Sequence, residues 1–328
     1  MKKLISLVLA AMMCLGCCAA AAAEDGAPII GILQQMEHVA LDAARDGFIQ
    51  ALADNGYVDG ENIKLDYQNA QGDSSNMSTI ADRFVGENAK LVLAIATDAV
   101  TTMASKTTTI PILGTAVTDY LIHNLVKSNE VPGYNVSGTS DMNPVSSQIA
   151  LVKTFAPEAK KVGVLYNSGE DNSVIQAQLA KDAIEALGME YVEVTVSSTN
   201  EVQQAAQQLV GMCDAIYLPT DNVVASSMPI VYGVTTESKT PVICGEEGMV
   251  QGGGLVTLGI SYYELGYQTG MMAIDVMNGA DVSTMPIQFV TEGFTYSVNK
   301  TVADEIGVEI PEDLMPYAFE MAAEESAH

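Results

Sequence analysis

The sequence predicts an α/β protein built as two doubly wound parallel-sheet lobes. Past residue 27, short apolar runs alternate with amphipathic segments, the pattern of a parallel sheet covered by helices. The order then repeats: 33 residues separate Ile30 from Ile63, and 30 separate Val162 from Val192. Length agrees, because 328 residues, 48% of them hydrophobic, favour two cores over one.

The first half opens with a strand at 29–33. A helix follows from Leu41 to Asn55, with Phe48, Ile49 and Leu52 on one apolar face and Gly56 placed to end it. Next come a strand at 62–67, a helix at 78–87, a strand at 91–96, a helix at 99–106 and a strand at 110–116. Pro144 and the polar stretch before it mark the first passage between halves. The second half repeats the pattern: strand 161–166, helix 176–187 closed by Gly188, strand 191–196, helix 201–210, strand 215–218, helix 226–238 and strand 241–244. Gly252-Gly253-Gly254 reads as a tight turn before a strand at 255–260.

Composition excludes several functions. Lys and Arg total 14 against 41 Asp and Glu, a formal net charge of −27, so no nucleic-acid partner is expected. The apolar content argues against disorder. With three His (His38, His123 and His328), no metal site is expected. No G-x-G-x-x-G follows a strand, and P-loop, H-E-x-x-H, C-x-x-C and G-x-S-x-G motifs are absent, so no cofactor and no catalytic residues are assigned. His38 follows the first strand and could face a cleft; a surface or helix-start position is the favoured reading. Glu246-Glu247 reads as solvated loop charge, and the 17 Met chiefly as core filler. Cys213 and Cys244 belong to successive strands, too far apart to bridge, and are expected as buried free thiols.

The N-terminus reads as an address. Lys2 and Lys3 precede an apolar run from Leu4 to Leu15, right for a signal-peptide core and too short to span a bilayer. Cys14-Leu15-Gly16-Cys17-Cys18 resembles a bacterial lipoprotein signal, with Cys17 the favoured lipidation site; Cys18 and an A-x-A cleavage after Ala23 stay open. Each of these exports the chain.

In open parallel sheets, ligands sit beyond the carboxyl ends of the strands. Two facing lobes would make a cleft, a preferred place for small molecules. The strand ends are polar: Gln34-Gln35, residues 69–73, Thr97-Asp98 and Thr118-Asp119 in one half. In the other they are residues 167–173, Thr220-Asp221-Asn222 and Gly245-Glu246-Glu247.

Several of these strings resemble the exported substrate-binding proteins of ABC importers, in particular tryptophan- and tyrosine-binding members. They are Ile32-Leu33-Gln34 with residues 38–48, residues 69–73, Ile95-Ala96-Thr97, Val117-Thr118-Asp119 and residues 137–141. Residues 166–173, Pro219-Thr220-Asp221-Asn222 and 259–270 continue the likeness, which covers nearly the whole chain after residue 27. Val39 and Asp98 depart from it, standing where such proteins often carry Pro.

The resemblance implies a type I periplasmic-binding-protein fold, two lobes joined by a hinge with three crossings. The expected division is a leader at 1–23, an N-terminal lobe at 27–142 plus 262–289, a C-terminal lobe at 143–261 plus 290–316, and a frayed acidic tail at 317–328. It implies a monomeric, non-enzymatic, extracytoplasmic solute-binding protein, lipid-anchored to the membrane. That protein would deliver an amino acid, with an aromatic one in view, to a separate ABC permease and ATPase. An exported ligand sensor docking on a membrane receptor is the alternative. For a zwitterion, Asn172 and Ser173 would donate to the carboxylate. Thr97 and Thr118 would offer hydroxyls, with Asp119 beside them. Asp221 would pair the ammonium, or else cap the next helix. Gln34 would contact the ligand or orient its loop.

Overall fold

In the computed structural model, residues 26–321 are described. The proposed lipidation site Cys17, the rest of the leader to Ala23 and residues 322–328 lie outside them. The chain runs β1 (Ile29–Gln34), α1 (Val39–Asp54), β2 (Lys64–Asn69), α2 (Ser74–Gly86), β3 (Leu91–Ile95), α3 (Thr97–Lys106), β4 (Ile112–Val117) and β5 (Val136–Ser140). It continues through α4 (Val145–Phe155), β6 (Lys161–Asn167), α5 (Asp171–Ala186), β7 (Glu190–Val196), α6 (Thr199–Val210) and β8 (Ala215–Leu218). Then come α7 (Asn222–Ser226), α8 (Met228–Ser238), β9 (Val242–Cys244), α9 (Glu247–Gln251) and β10 (Val256–Gly259). The last elements are α10 (Tyr262–Met277), β11 (Gln288–Phe289), β12 (Thr295–Asn299), α11 (Lys300–Ile306) and β13 (Ala318–Phe319).

One sheet has the order β11-β5-β4-β3-β1-β2, all parallel; the other has β13-β12-β10-β9-β8-β6-β7. Numbered within each half, both share the order 2-1-3-4-5, in which the strand order reverses between the first and third strands and leaves a crevice at their carboxyl ends. Three segments join the sheets: 141–144, 260–261 and 290–294. After the third passage the chain enters the second sheet from its cleft end, so β12 must run antiparallel to β10. Each lobe has its own core. Ile30, Ile32, Leu93 and Phe48 are fully buried in the first, and Val162, Val164, Leu165 and Tyr217 in the second.

Several local features differ from the expectations. The strand Val-Ser-Gly-Thr-Ser of β5 has no apolar alternation, yet it is wholly buried. Its burial is tolerated because a hydroxyl chain satisfies the polar atoms: Thr115 to Thr139 at 3.2 Å and Thr139 to Thr269 at 2.8 Å. Pro144 is the N-cap residue of the unanticipated helix α4. The helix expected at 226–238 is α8, starting at Met228 with Pro229 in its first turn, and the short helix α7 precedes it unanticipated. Residues 318–319, expected in a frayed tail, pair with Val298 and Asn299 as β13. Cys244 is buried and Cys213 only half-buried; both are free.

α10 returns the chain to the first lobe and lies against α1 with almost no separation. A Cβ on Gly266 would fall 1.8 Å from the Ala44 carbonyl oxygen, and one on Gly47 would fall 2.0 Å from that of Tyr263. Only glycine permits this approach, and the approach fixes Tyr262, at the start of α10, beneath the cleft.

Candidate ligand-binding site

A narrow, tightly packed cavity lies between the lobes. The first lobe lines it with His38, Leu41, Ala116, Thr118, Asp141 and Tyr262. Asn172, Thr220, Asp221 and Asn222 face them from the loops and helix starts after β6 and β8, and Ala225, Glu246 and Met249 complete the wall.

Backbone irregularity aims some of these side chains. Ala116 takes a left-handed conformation (φ 55°) at the end of β4, where the register with β5 shifts. The chain then presents Thr118, whose hydroxyl donates to Asp141 at 3.1 Å. The Tyr262 hydroxyl donates to the other Asp141 oxygen at 2.7 Å. Asp141 is buried, and desolvation pushes its pKa up despite both hydroxyl donors.

Asp221 is also buried. Its carboxylate accepts from the Asn167 amide at 2.6 Å and the Val224 amide at 2.8 Å, and the Ser173 hydroxyl bonds to it too. It therefore caps α7 and ties that helix to the end of β6. Burial, then the nearby Glu170 charge, raises its pKa. Glu246 is buried rather than solvated, which corrects its expected loop-charge role. It caps α9 through the Gly248 and Met249 amides, and desolvation pushes its pKa up to about 7. Asp98, at the edge of the cleft, is raised to about 6 by burial and then by Glu170 and Asp171. Three carboxylates thus line one cavity, and no Lys or Arg lines it.

Among the described residues, three side-chain bonds span the cleft: His38 Nε2 to Asn222 Oδ1 at 3.0 Å, Gln176 Nε2 to Thr118 Oγ1 at 3.2 Å, and His123 Nε2 to Asp171 Oδ2 at 2.6 Å. Gln176 also meets the Thr220 hydroxyl and amide. Two buried atoms of cavity-lining residues, His38 Nδ1 and Asn172 Oδ1, have no hydrogen-bond partner among the described residues.

Of the residues singled out from sequence, Thr118, Asn172 and Asp221 line the cavity. Gln34, Thr97, Asp119 and Ser173 do not. Gln34 is turned into its own loop, donating to the Met36 carbonyl and to Asp42 at 2.8 Å each. Thr97 is buried in the first turn of α3, its carbonyl accepting from Thr101. Asp119 caps the turn at Leu121 at 2.8 Å. Ser173 lies behind Asp221. His38 holds the helix-start position expected of it, as N-cap residue of α1 without a side-chain cap bond, and it lines the cavity as well. Gln176 follows Asn172 by one helical turn, so its spacing was the available signal. Tyr262 and Asp141 fall within the strings 137–141 and 259–270 that carry the resemblance, but the strand-end rule did not select them, because β5 was not anticipated and Tyr262 follows an interlobe crossing.

The family described as "ABC transporter substrate binding protein" matches residues 29–322. A tyrosine-binding protein of Clostridioides difficile (strain R20291) is 43% identical over 305 residues, covering 89% of this chain and 88% of its own. An ABC domain from Streptococcus pneumonia, solved in complex with L-Trp, is 36% identical and superposes with a TM-score of 0.86, covering 90% of this chain and 100% of its own. The ligand-free, open structure of a substrate-binding protein with adhesive properties from Clostridium difficile is 44% identical with the same coverages, yet superposes at only 0.69. The chain thus superposes better on the L-Trp complex than on the ligand-free, open structure, and three bonds span its own cleft. The chain is a member of the ABC transporter substrate-binding protein family, with the type I periplasmic-binding-protein fold.

Proposed function

We propose that this protein captures an aromatic amino acid, tyrosine or tryptophan, in the interlobe cavity and hands it to an ABC permease and ATPase. The observation that carries the reading is the lining itself. The carboxylates of Asp141, Asp221 and Glu246 surround the cavity with no Lys or Arg among the lining residues, while Leu41, Ala116, Ala225 and Met249 supply apolar wall. Such a site selects a cationic group on an apolar body, since buried charge must be paired.

Asp141 is the ammonium partner in this reading. Its donors are two side-chain hydroxyls, whereas the oxygens of Asp221 are held by backbone amides that the fold itself needs. The ligand carboxylate meets backbone N–H groups in the first turn of α5 and the Thr220 hydroxyl, which accepts from Gln176 and keeps its own proton to give, while the amide hydrogens of the Asn172 side chain go to Glu170, Ser173 and the Thr220 carbonyl. The lobes, 27–142 with 262–289 and 143–261 with 290–316, hinge at the three crossings. The relatives that bind tyrosine and tryptophan support the ligand class.

Thermal unfolding with a ligand panel tests this. A ligand at 100 times its Kd stabilises by about 2.7 kcal/mol. At roughly 2–4 °C per kcal/mol, tyrosine or tryptophan should raise Tm by about 5–10 °C. A shift with a sugar and none with any aromatic amino acid would sink the reading.

Attachment is proposed at Cys17, by a lipid that holds the protein outside the cytoplasm as a monomer. No helix among the described residues is long and apolar enough to cross a membrane. The native protein should partition with membranes and Cys17→Ala should not; an unlipidated mature start at Glu24 in an intact-mass spectrum would exclude the anchor.

A further inference from the structure

His38 carries an acceptor atom that nothing among the described residues uses. The Asn222 amide nitrogen donates to Glu170 at 2.6 Å, so Asn222 Oδ1 is an acceptor. His38 Nε2, 3.0 Å away, must then carry the proton. Burial lowers the His38 pKa, which keeps the ring neutral. In that tautomer Nδ1 is a lone pair, buried and without a partner, in a residue that lines the cavity. A buried acceptor left unmatched is costly, so the occupant should supply a donor.

We propose that His38 Nδ1 accepts a hydrogen bond from the ring of the ligand, the phenol O–H of tyrosine or the indole N–H of tryptophan, and so discriminates against phenylalanine. This rests on the aromatic amino-acid reading of the site. The ammonium is not the donor: Asp141, Asp221 and Glu246 in the same cavity are far better partners for a cation than a neutral imidazole. The neighbours are of the right kind for a ring. Leu41 is one turn along α1 from His38, and Ala225 is one turn beyond Asn222; both line the cavity. Tyrosine and tryptophan share what phenylalanine lacks, a donor on the ring. Sites built to bond such a group reject the analogue without it far more strongly than apolar pockets reject a missing methylene.

Isothermal titration of the full chain with tyrosine, tryptophan and phenylalanine tests the proposal. The unaltered protein should bind tyrosine about ten- to a hundredfold more tightly than phenylalanine, the range for an unmatched buried acceptor. His38→Leu should bring the tyrosine-to-phenylalanine ratio close to one. Loss of the bond to Asn222 would weaken both ligands alike and leave their ratio unchanged, so the ratio separates recognition from support of the closed form. His38→Gln, which keeps an acceptor, should restore part of the preference. Equal affinity for tyrosine and phenylalanine in the unaltered protein overturns the inference even if neither variant folds. So does a preference that survives His38→Leu. Failure of all three amino acids to bind the unaltered chain overturns the functional reading, and this inference with it.

Discussion

Asp141→Asn should reduce affinity for the aromatic amino acid by roughly thirtyfold to several-thousandfold. That range follows from removing one member of a desolvated charged pair, about 2–5 kcal/mol. The protein without added ligand should keep its melting temperature or gain slightly. The amide oxygen can still accept from one of the Thr118 and Tyr262 hydroxyls, and the other hydroxyl can turn to accept from the new NH₂ group. Burial already disfavours the ionised carboxylate at this position, so a neutral isostere relieves a cost when no cation is bound. Loss of binding with an undiminished Tm is therefore the expected signature. Calorimetric titration and scanning calorimetry on this single variant measure both. Affinity retained within threefold would remove Asp141 as the ammonium partner.

Asp221→Ala should give a different pattern, a large loss of stability together with loss of binding. The substitution leaves the Asn167 and Val224 amides without their acceptor in a buried place and removes the cap of α7. Each unmatched buried donor costs about 1–3 kcal/mol. Two such groups imply roughly 2–6 kcal/mol, or a fall of about 5–20 °C in Tm for a lobe of this size. Affinity should fall as well, because α7 carries Asn222, which bonds to His38 across the cleft, and Ala225. A variant that melts normally but no longer binds would reverse the assignment and make Asp221, not Asp141, the ammonium partner.

These opposite signatures turn on a distinction that the chain order does not contain. Thr118, Asn172 and Asp221 were legible because each follows a strand, and strand carboxyl ends face the cleft in any doubly wound sheet. The same rule also selected Gln34, Thr97 and Asp119. It identifies the end of the sheet but not the direction of the side chain, and local bonds to Asp42 and to the Leu121 amide turn two of these away. Whether Asp221 served a ligand or a helix was undecidable from spacing, because an N-cap and an ammonium partner want the same residue type in the same loop.

Apolar periodicity in the sequence determined the two-lobe α/β architecture, most of the strands and helices, and the general position of the cleft. Such periodicity reports which elements must be buried. It missed β5, whose small polar residues are buried only because Thr115 and Thr269 answer the Thr139 hydroxyl from other elements. The tertiary structure alone decided which residues share the cavity. Asp141 and Tyr262 are separated by more than a hundred residues, and His38 and Asn222 by 184. They meet because the chain crosses between lobes three times and because Gly47 and Gly266 let α10 settle against α1. The unmatched acceptor on His38 exists only once Asn222 and Glu170, from the opposite lobe, have fixed the position of the proton. Burial and pairing across the cleft are properties of the closed arrangement, and no local pattern along the chain encodes them.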